Sequence, residues 1–281
     1  MTGAFRAIVL GCGSSGGVPR LGGAGGEGDW GTCDPAEPKN RRTRCSLLLE
    51  RYGQGGFVDR ASVTSVLIDT SPDMRAQLLA ARAAHLDAVL ITHDHADQTH
   101  GLDDLRAYAI ARRKRVPVYL DRRVAGAVVE RFRYCFEQAA GSWYPAILEE
   151  HALPPCGQAV ALTGPAGELV AIPFLQRHGP VDSYGYRIGD LAYSSDVAEL
   201  PDDSFAVLEG VRTWIVDALQ MSAHGTHAHL ERTLSWIARI KPERAILTNL
   251  HITMDYQTLR GILPAGVEPA FDGMTVPFRA G

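Results

Sequence analysis

Two histidines and two aspartates stand together directly after one short apolar stretch of the chain. His93, Asp94, His95 and Asp97 lie within five residues and follow residues 88–92, which predict a buried strand. Imidazole nitrogens and carboxylate oxygens are the ligands that divalent ions such as zinc accept. A loop leaving the carboxyl end of a strand can direct all of these side chains into one cavity. A solvated polar turn is the alternative, but the cluster favours a metal site.

Three more candidate ligands stand at the ends of apolar stretches. These are His178, Asp196 and His251, each placed where a predicted strand gives way to a loop. A single such residue is more often structural, but sites in α/β proteins gather at the carboxyl ends of strands. Because the pattern repeats at four strand ends, we expect one shared site rather than separate structural residues.

The apolar patterns around these residues predict the elements that position them. Strands are predicted over residues 5–10, 45–51, 65–69, 88–92, 116–120, 169–175, 183–188, 191–194, 213–219 and 244–248, with the second and third as a hairpin-like pair. Helices are predicted over 71–84, 102–113, 126–138 and 229–240, with a loop over 22–40 and an excursion from the core over 141–155. Strands that first cluster and then alternate with helices indicate a sheet-on-sheet α/β core flanked by helices. We expect one domain over residues 1–281.

Composition narrows the class of partner. The chain has 281 residues, is 46% hydrophobic and carries a formal net charge of −4, so it can bury a large core and has no overall attraction to nucleic acid or anionic membranes. Two basic runs, over residues 41–44 and 112–115, are expected to be solvated surface. No apolar stretch approaches about 18 residues, and the amino-terminal residues lack the features of a signal peptide. Five scattered cysteines do not suggest a disulfide framework. We therefore expect a cytoplasmic protein with reduced thiols.

The order of the candidate ligands resembles the metallo-β-lactamase superfamily. The chain reads His-x-His-x-Asp, a later His, an Asp in a Tyr-Ser-Ser-Asp setting and a final His, and the resemblance runs over residues 5–278. Within it, Gly-Cys-Gly-Ser-Ser-Gly-Gly-Val-Pro at 11–19, Asp-Thr-Ser-Pro-Asp at 69–73 and Gly-Leu-Asp-Asp-Leu-Arg at 101–106 are most similar to the PhnP-like phosphodiesterases. Those enzymes open cyclic phosphates such as phosphoribosyl 1,2-cyclic phosphate. The resemblance implies an αββα sandwich and a metal-dependent hydrolase.

The resemblance also implies how two metal ions are held. His93, His95 and His178 fall on one metal, Asp97 and His251 on the other, and Asp196 between them. The superfamily pattern continues with a further His, where this chain has Gln98. An amide oxygen is a weaker donor than imidazole, and Gln98 could instead orient a ligand or a water. We therefore expect a weaker second site, with zinc or manganese as the metal and iron also compatible.

The resemblance makes His227 the general acid that protonates the leaving group, and Asp97 is counted with the catalytic residues. His229, two residues further on, is the competing candidate for the same role. His229 and His100 are also candidate substrate contacts, and His100 is a less favoured substitute ligand. The hypothesis is that metal-activated hydroxide attacks the phosphorus of a small or cyclic phosphodiester.

Other functions stay open at this point. The same fold serves RNA-processing enzymes and thioester or lactone hydrolases, although the chain lacks the long basic arm of a tRNA nuclease. Residues 71–78 also resemble the PQQ biosynthesis protein B, which would make the chain non-catalytic, and a module that uses its metal structurally is the last alternative. The aromatic stretch 132–144 is either a lid or the contact of a homodimer.

Overall fold

The computed structural model describes residues 4–53, 56 and 59–280. The two sheets pack face to face, and helices cover their outer faces. The first sheet has the order β14-β1-β2-β3-β4-β5-β6, with β1 Ala4–Gly11, β2 Ser46–Tyr52, β3 Thr64–Ile68, β4 Ala88–Leu90, β5 Val116–Leu120, β6 Leu148–Ala152 and β14 Met274–Phe278. The second has the order β13-β12-β11-β10-β9-β8-β7, with β7 Val160–Gly164, β8 Gly167–His178, β9 Val181–Ile188, β10 Leu191–Ser194, β11 Thr213–Asp217, β12 Arg244–Thr248 and β13 Val267–Pro269.

Helices flank the sandwich on both sides. They are α1 Met74–Ala80, α2 Ala96–Thr99, α3 Arg106–Arg112, α4 Arg122–Arg131, α5 Arg133–Phe136, α6 Asp202–Leu208, α7 Leu230–Ile240 and α8 Tyr256–Ile262, with short 3₁₀ turns at Pro38–Asn40, Arg60–Ser62 and Leu102–Leu105. The predicted αββα architecture is confirmed. Among the described residues, no helix combines the length and apolar character needed to span a membrane.

The alternation of side chains along the strands explains the layers. On β2, Leu47 and Leu49 point into the core between the sheets, whereas Leu48 packs under the helices of the first sheet. All three are fully buried, as a strand covered on both faces requires. A separate apolar cluster, which includes Trp214, packs the second sheet against its helices. The continuous apolar runs of the sequence therefore form strands between two layers.

Strand direction gathers the candidate ligands at one edge. Strands β3 to β6 are parallel, and so are β10 to β13. Strand β8 runs in the same direction as β10, because both are antiparallel to β9. The loops after β4, β10 and β12 and the end of β8 therefore carry the metal-ligand candidates at carboxyl ends. The basic run over 112–115 precedes β5 and lies at the other end of that strand, where Arg112 pairs with Asp87 at 2.9 Å. The second basic run contains Arg42, which is only 2% exposed, so its assignment to solvated surface was wrong at that residue.

Several predicted elements need correction. Residues 141–155 are not an excursion, because β6 lies within them and pairs in parallel with β5 at the edge of the first sheet. The strand was not predicted because the exposed Glu149 and Glu150 interrupt its apolar pattern. Charged residues on an edge strand deter pairing with further strands. Helix α1 begins at Met74 rather than at residue 71, and α4 begins at Arg122, where Asp121 accepts a hydrogen bond from the backbone of the helix.

Other differences concern elements that the patterns left out. Strands β7, β13 and β14 and helices α6 and α8 were not predicted, because each is short and carries little periodicity. The antiparallel pairing of β2 with β3 is confirmed. The predicted glycine-containing connection between them includes residues 54, 55, 57 and 58, which lie outside the described residues, as do residues 1–3 and 281.

Asp272 provides a test of how the loop after β1 is held. Its Oδ1 accepts a hydrogen bond from the Cys12 backbone at 3.1 Å, and its Oδ2 accepts from the backbone and hydroxyl of Thr43 at 2.7 and 2.6 Å. Asp272→Ala leaves these donors without a partner, so we expect the free energy of unfolding to fall by about 1–3 kcal/mol in urea denaturation. Glu130→Ala, at an exposed helical position, is the control. Equal stability of the two variants would contradict this role.

Candidate metal centre

Three imidazole rings meet where the two sheets face each other. The ring centroids of His93 and His95 are 4.5 Å apart, and each lies 5.1 Å from that of His178. One nitrogen from each ring lies within 4.8 Å of the others. His93 and His95 come from the loop after β4 in the first sheet, whereas His178 ends β8 in the second. The cluster therefore joins the two halves of the sandwich.

Hydrogen bonds fix the orientation of His93. The hydroxyl of Thr92 donates to Asp69 at 2.8 Å, so its oxygen accepts from the Nδ1–H of His93 at 3.0 Å. The lone pair of His93 is then on Nε2, which is buried and has no hydrogen-bond partner among the described residues. Burial lowers the pKa of His93 to about 3, so the ring is neutral. A buried, neutral and unpartnered imidazole nitrogen fits a metal ligand.

His178 is oriented in the same way. Its Nδ1 donates to the backbone carbonyl of Thr226 at 2.6 Å, which leaves Nε2 with the lone pair. His178 also belongs to a second compact group, with Asp196 and His227. The two groups share His178, so they form one continuous centre.

Asp196 lies at the middle of this centre. It follows β10 with a φ of 55°, a left-handed conformation that Asp tolerates better than most residues. Burial alone would raise the pKa of Asp196, but the neighbouring His93, His227 and His178 lower it below its ordinary value. The carboxylate therefore stays ionised among the histidines, which favours a bound cation.

Asp97 and Gln98 are both neighbours of Asp196. Burial, followed by the charge of Asp196, raises the pKa of Asp97 to about 6. Gln98 is buried, and its Nε2 donates to Asp196 Oδ2 at 3.1 Å while its Oε1 has no partner among the described residues. This contact is what the predicted role of Gln98 in orienting a ligand requires. The alternative role of Gln98 as a ligand through Oε1 stays a prediction.

His251 is not brought into either compact group. Its Nδ1 contacts the hydroxyl of Thr253 at 2.9 Å, and its backbone donates to Leu219 at 3.0 Å. Asp97 is also outside both groups. The assignment of Asp97 and His251 to the second metal therefore stays a prediction.

His227 has a buried partner that the sequence analysis missed. Its Nδ1 lies 2.8 Å from Oδ2 of Asp217, which is fully buried at the end of β11. Burial lowers the pKa of His227, but the carboxylate of Asp217 outweighs it and raises that pKa to about 9. The signal was available, because Asp217 ends an apolar strand as the candidate ligands do. It was overlooked because the strand prediction ran on to residue 219.

The competing histidines lie elsewhere. His229 precedes the first residue of α7, and its Nε2 is 4.0 Å from the carboxylate of Glu231. His100 stacks edge-on against Phe132 with ring centroids 5.9 Å apart. Neither belongs to the two compact groups, whereas the ring of His227 lies 4.6 Å from that of His178. The geometry therefore favours His227 over His229 at the metal centre.

Comparison with known proteins identifies the family of this chain. A family described as the beta-lactamase superfamily domain matches residues 64–252, a range that includes every candidate ligand. The chain belongs to the β-lactamase superfamily. Metal binding is therefore expected from the superfamily fold as well as from the unpartnered nitrogen of His93.

Two solved structures are similar to this chain over nearly its whole length. A diphosphatase of the PhnP family has 30% sequence identity and a TM-score of 0.83, covering 100% of this chain and 99% of that one. The superfamily member is thus a metallo-β-lactamase-fold hydrolase close to PhnP. Zinc-bound PqqB from Methylobacterium extorquens has 17% identity and a TM-score of 0.71, with 96% and 99% covered, which shows a shared fold alone.

A curated relative of similar sequence has a name that does not refer to phosphorus chemistry. An octanoyltransferase from Porphyromonas gingivalis (strain ATCC BAA-308 / W83) is 30% identical over 272 residues, which are 96% of this chain and 51% of that protein. The superfamily member thus spans about half the length of this relative. The name describes the whole of the longer protein.

Gln98 offers a direct test of the second metal. Gln98→His restores an imidazole at the position where the superfamily pattern has one, so we expect more metal per chain after dialysis, measured by elemental analysis. Gln98→Leu, similar in size but without a donor, is the matched control and should bind no more metal than the parent. Equal metal content in Gln98→His and the parent would contradict a weak site at this position.

Proposed function

We propose that this protein is a metal-dependent phosphodiesterase that acts on small or cyclic phosphodiesters. The observation that carries the proposal is that His227, which belongs to the second compact group with His178 and Asp196, pairs with the buried Asp217. An imidazole held protonated next to a cation site suits a reaction in which an alkoxide leaves. The PhnP-family diphosphatase supports the same class of chemistry at phosphorus.

The ligand set follows from the donors. His93, His95 and His178 would hold one divalent ion, Asp97 and His251 a second, and Asp196 would contact both. Zinc or manganese fits these nitrogen and carboxylate donors. When bound, such ions lower the pKa of water toward neutrality and offset charge on phosphoryl oxygens. The uncharged state of His93 and the ionised state of Asp196 are those that ligation needs.

His227 and Asp217 perform the proton transfer. Asp217 holds the Nδ1 proton of His227 and so fixes the ring with its other nitrogen free to face the substrate. The raised pKa of His227 keeps that nitrogen protonated at neutral pH. His227 then gives the Nε2 proton to the departing oxygen. Asn249 Nδ2 lies 3.4 Å from Asp217 Oδ2 and helps to position the carboxylate.

A small substrate is favoured over RNA. The basic run over 112–115 is at the opposite end of β5 from the metal centre, so it is badly placed to guide a polynucleotide into the site. The net charge of −4 points the same way. All five cysteines are free thiols, which supports the proposed cytoplasmic location.

His227→Ala tests the proton-transfer role. We expect kcat on bis(p-nitrophenyl) phosphate and on 2′,3′-cyclic phosphates to fall by about 10²–10⁴-fold, because a positioned general acid contributes that much. Metal content, measured by elemental analysis, should change little. Asp217→Asn should also lower kcat, because it removes the charge that keeps His227 protonated.

His229→Ala is the matched control, since it removes a neighbouring imidazole that lies outside the two compact groups. It should keep most of the activity. Full activity in His227→Ala would refute the assigned role, and a comparable loss in His229→Ala would transfer the role to that residue. Failure of the metal-loaded parent to hydrolyse any phosphodiester would overturn the proposed function itself.

A further inference from the structure

Large apolar side chains are exposed together on α3 and on the segment between α4 and β6. Tyr134 is 55% exposed, Tyr144 73% and Trp143 96%, and Ile110 on α3 is 62% exposed. Tyr134 and Tyr144 line one groove with Arg106, and Ile110 lies one helical turn after Arg106. Trp143 directly precedes Tyr144 in the chain. Ile110, Tyr134, Trp143 and Tyr144 therefore form one surface, here called the aromatic patch.

The aromatic patch is large for a chain that acts alone. An aromatic side chain has about 150–250 Å² of surface, so the exposed fractions leave about 500 Å² of the patch in water. A continuous apolar surface of that size is near the largest found on monomeric proteins, and such surfaces mark interaction sites. A stable interface takes about 800 Å² from each partner, so the patch would supply more than half of one.

The patch combines a projecting side chain with a recess. The groove has a volume of about 450 Å³ and is lined by Arg106, Tyr134, Glu137, Ala139, Ser142 and Tyr144. Trp143 stands next to this groove in the chain but does not line it. Two copies related by a two-fold axis present the same surface to each other, so the Trp143 of each copy can enter the groove of the other. The shape of the patch therefore suits a second copy of this chain.

Two charges at the groove are complementary in the same way. Glu137 lines the groove, and Arg133 lies four residues earlier, at the start of α5. Both residues are exposed, and neither forms an ion pair with another residue that the structure describes. A two-fold axis through the patch can set Arg133 of each copy opposite Glu137 of the other. The charges thus match a copy of the same surface.

We propose that the aromatic patch is the interface of a homodimer in which Trp143 is the central anchor. The Trp143 of each copy enters the groove between Tyr134 and Tyr144 of the other, and a rim of opposite charges surrounds it. The interface adjoins the metal-ligand loop, because Nη1 of Arg131 at the end of α4 donates to the carbonyl of Asp94 at 2.6 Å. The proposal does not depend on the reaction that the metal centre performs.

Trp143→Ala tests the anchor. We expect the parent protein to be a dimer at micromolar concentration, measured by size-exclusion chromatography with light scattering. The variant loses two buried anchors per dimer, so its dimer dissociation constant should rise by about 10²-fold or more in analytical ultracentrifugation. Leu79→Ala removes an exposed apolar side chain from α1, outside the patch, and is the matched control. It should leave the dissociation constant unchanged.

Charge reversal tests whether the partner is a second copy. Arg133→Glu and Glu137→Arg each set like charges against each other across the two-fold axis, so each variant alone should be monomeric. An equimolar mixture of the two variants restores opposite charges on both sides of the axis and should form a dimer. This recovery would also show that both variants are folded.

The remaining outcomes overturn the proposal. A parent protein that is monomeric at high micromolar concentration excludes the dimer, and a Trp143→Ala variant that dimerises as the parent does places the interface elsewhere. A mixture of the two charge variants that stays monomeric excludes the two-fold arrangement. A monomeric parent whose KM rises in Trp143→Ala identifies the patch as a lid over the site, and not as a dimer contact.

Discussion

Neutral imidazoles that direct their lone pairs toward one point repel one another unless a cation lies between them, and the rest of the centre depends on this constraint. His93 and His178 each give their Nδ1 proton to a fixed acceptor, the hydroxyl of Thr92 and the carbonyl of Thr226. The remaining nitrogens therefore have no other role in the buried cluster. Metal binding would relieve the repulsion and satisfy the Nε2 of His93 at the same time.

The metal-ligand cluster also connects the two sheets. Its residues come from the end of β4 in one sheet and from the ends of β8 and β10 in the other, so the cluster forms only when the two sheets pack together. Direct hydrogen bonds stabilise the contact between the sheets. The backbone of Tyr184 on β9 donates to Thr92 at 3.0 Å, and the hydroxyl of Tyr186 donates to the carbonyl of Ile91 at 2.7 Å. Strand β9 thereby holds the loop that carries the histidines, which links the stability of the interface to the geometry of the centre.

The sequence predicted the parts of this arrangement that depend on local pattern. Apolar runs such as Leu47–Leu49 predicted buried strands, and the ends of such runs predicted where His93, His178 and Asp196 would lie. The order of these residues along the chain resembled that of the metallo-β-lactamase superfamily, and this resemblance implied the fold. Features that depend on contacts between residues distant in sequence were not predicted. The pairing of Asp217 with His227 joins a strand end to a separate loop, and β6 has charged residues that conceal an edge strand. The placement of His251 outside the compact groups likewise depends on the loop that holds it, which no periodicity describes.

The pairing of the first and last strands has a consequence for chain architecture. Strand β1 runs toward the metal centre, and Phe5 near its start lies opposite Phe278 near the end of β14. Both ends of the sandwich thus emerge together, at the end of the first sheet that is remote from the ligands. A polypeptide joined there would lie away from the metal-ligand cluster, so another domain could be linked to this fold without covering that cluster.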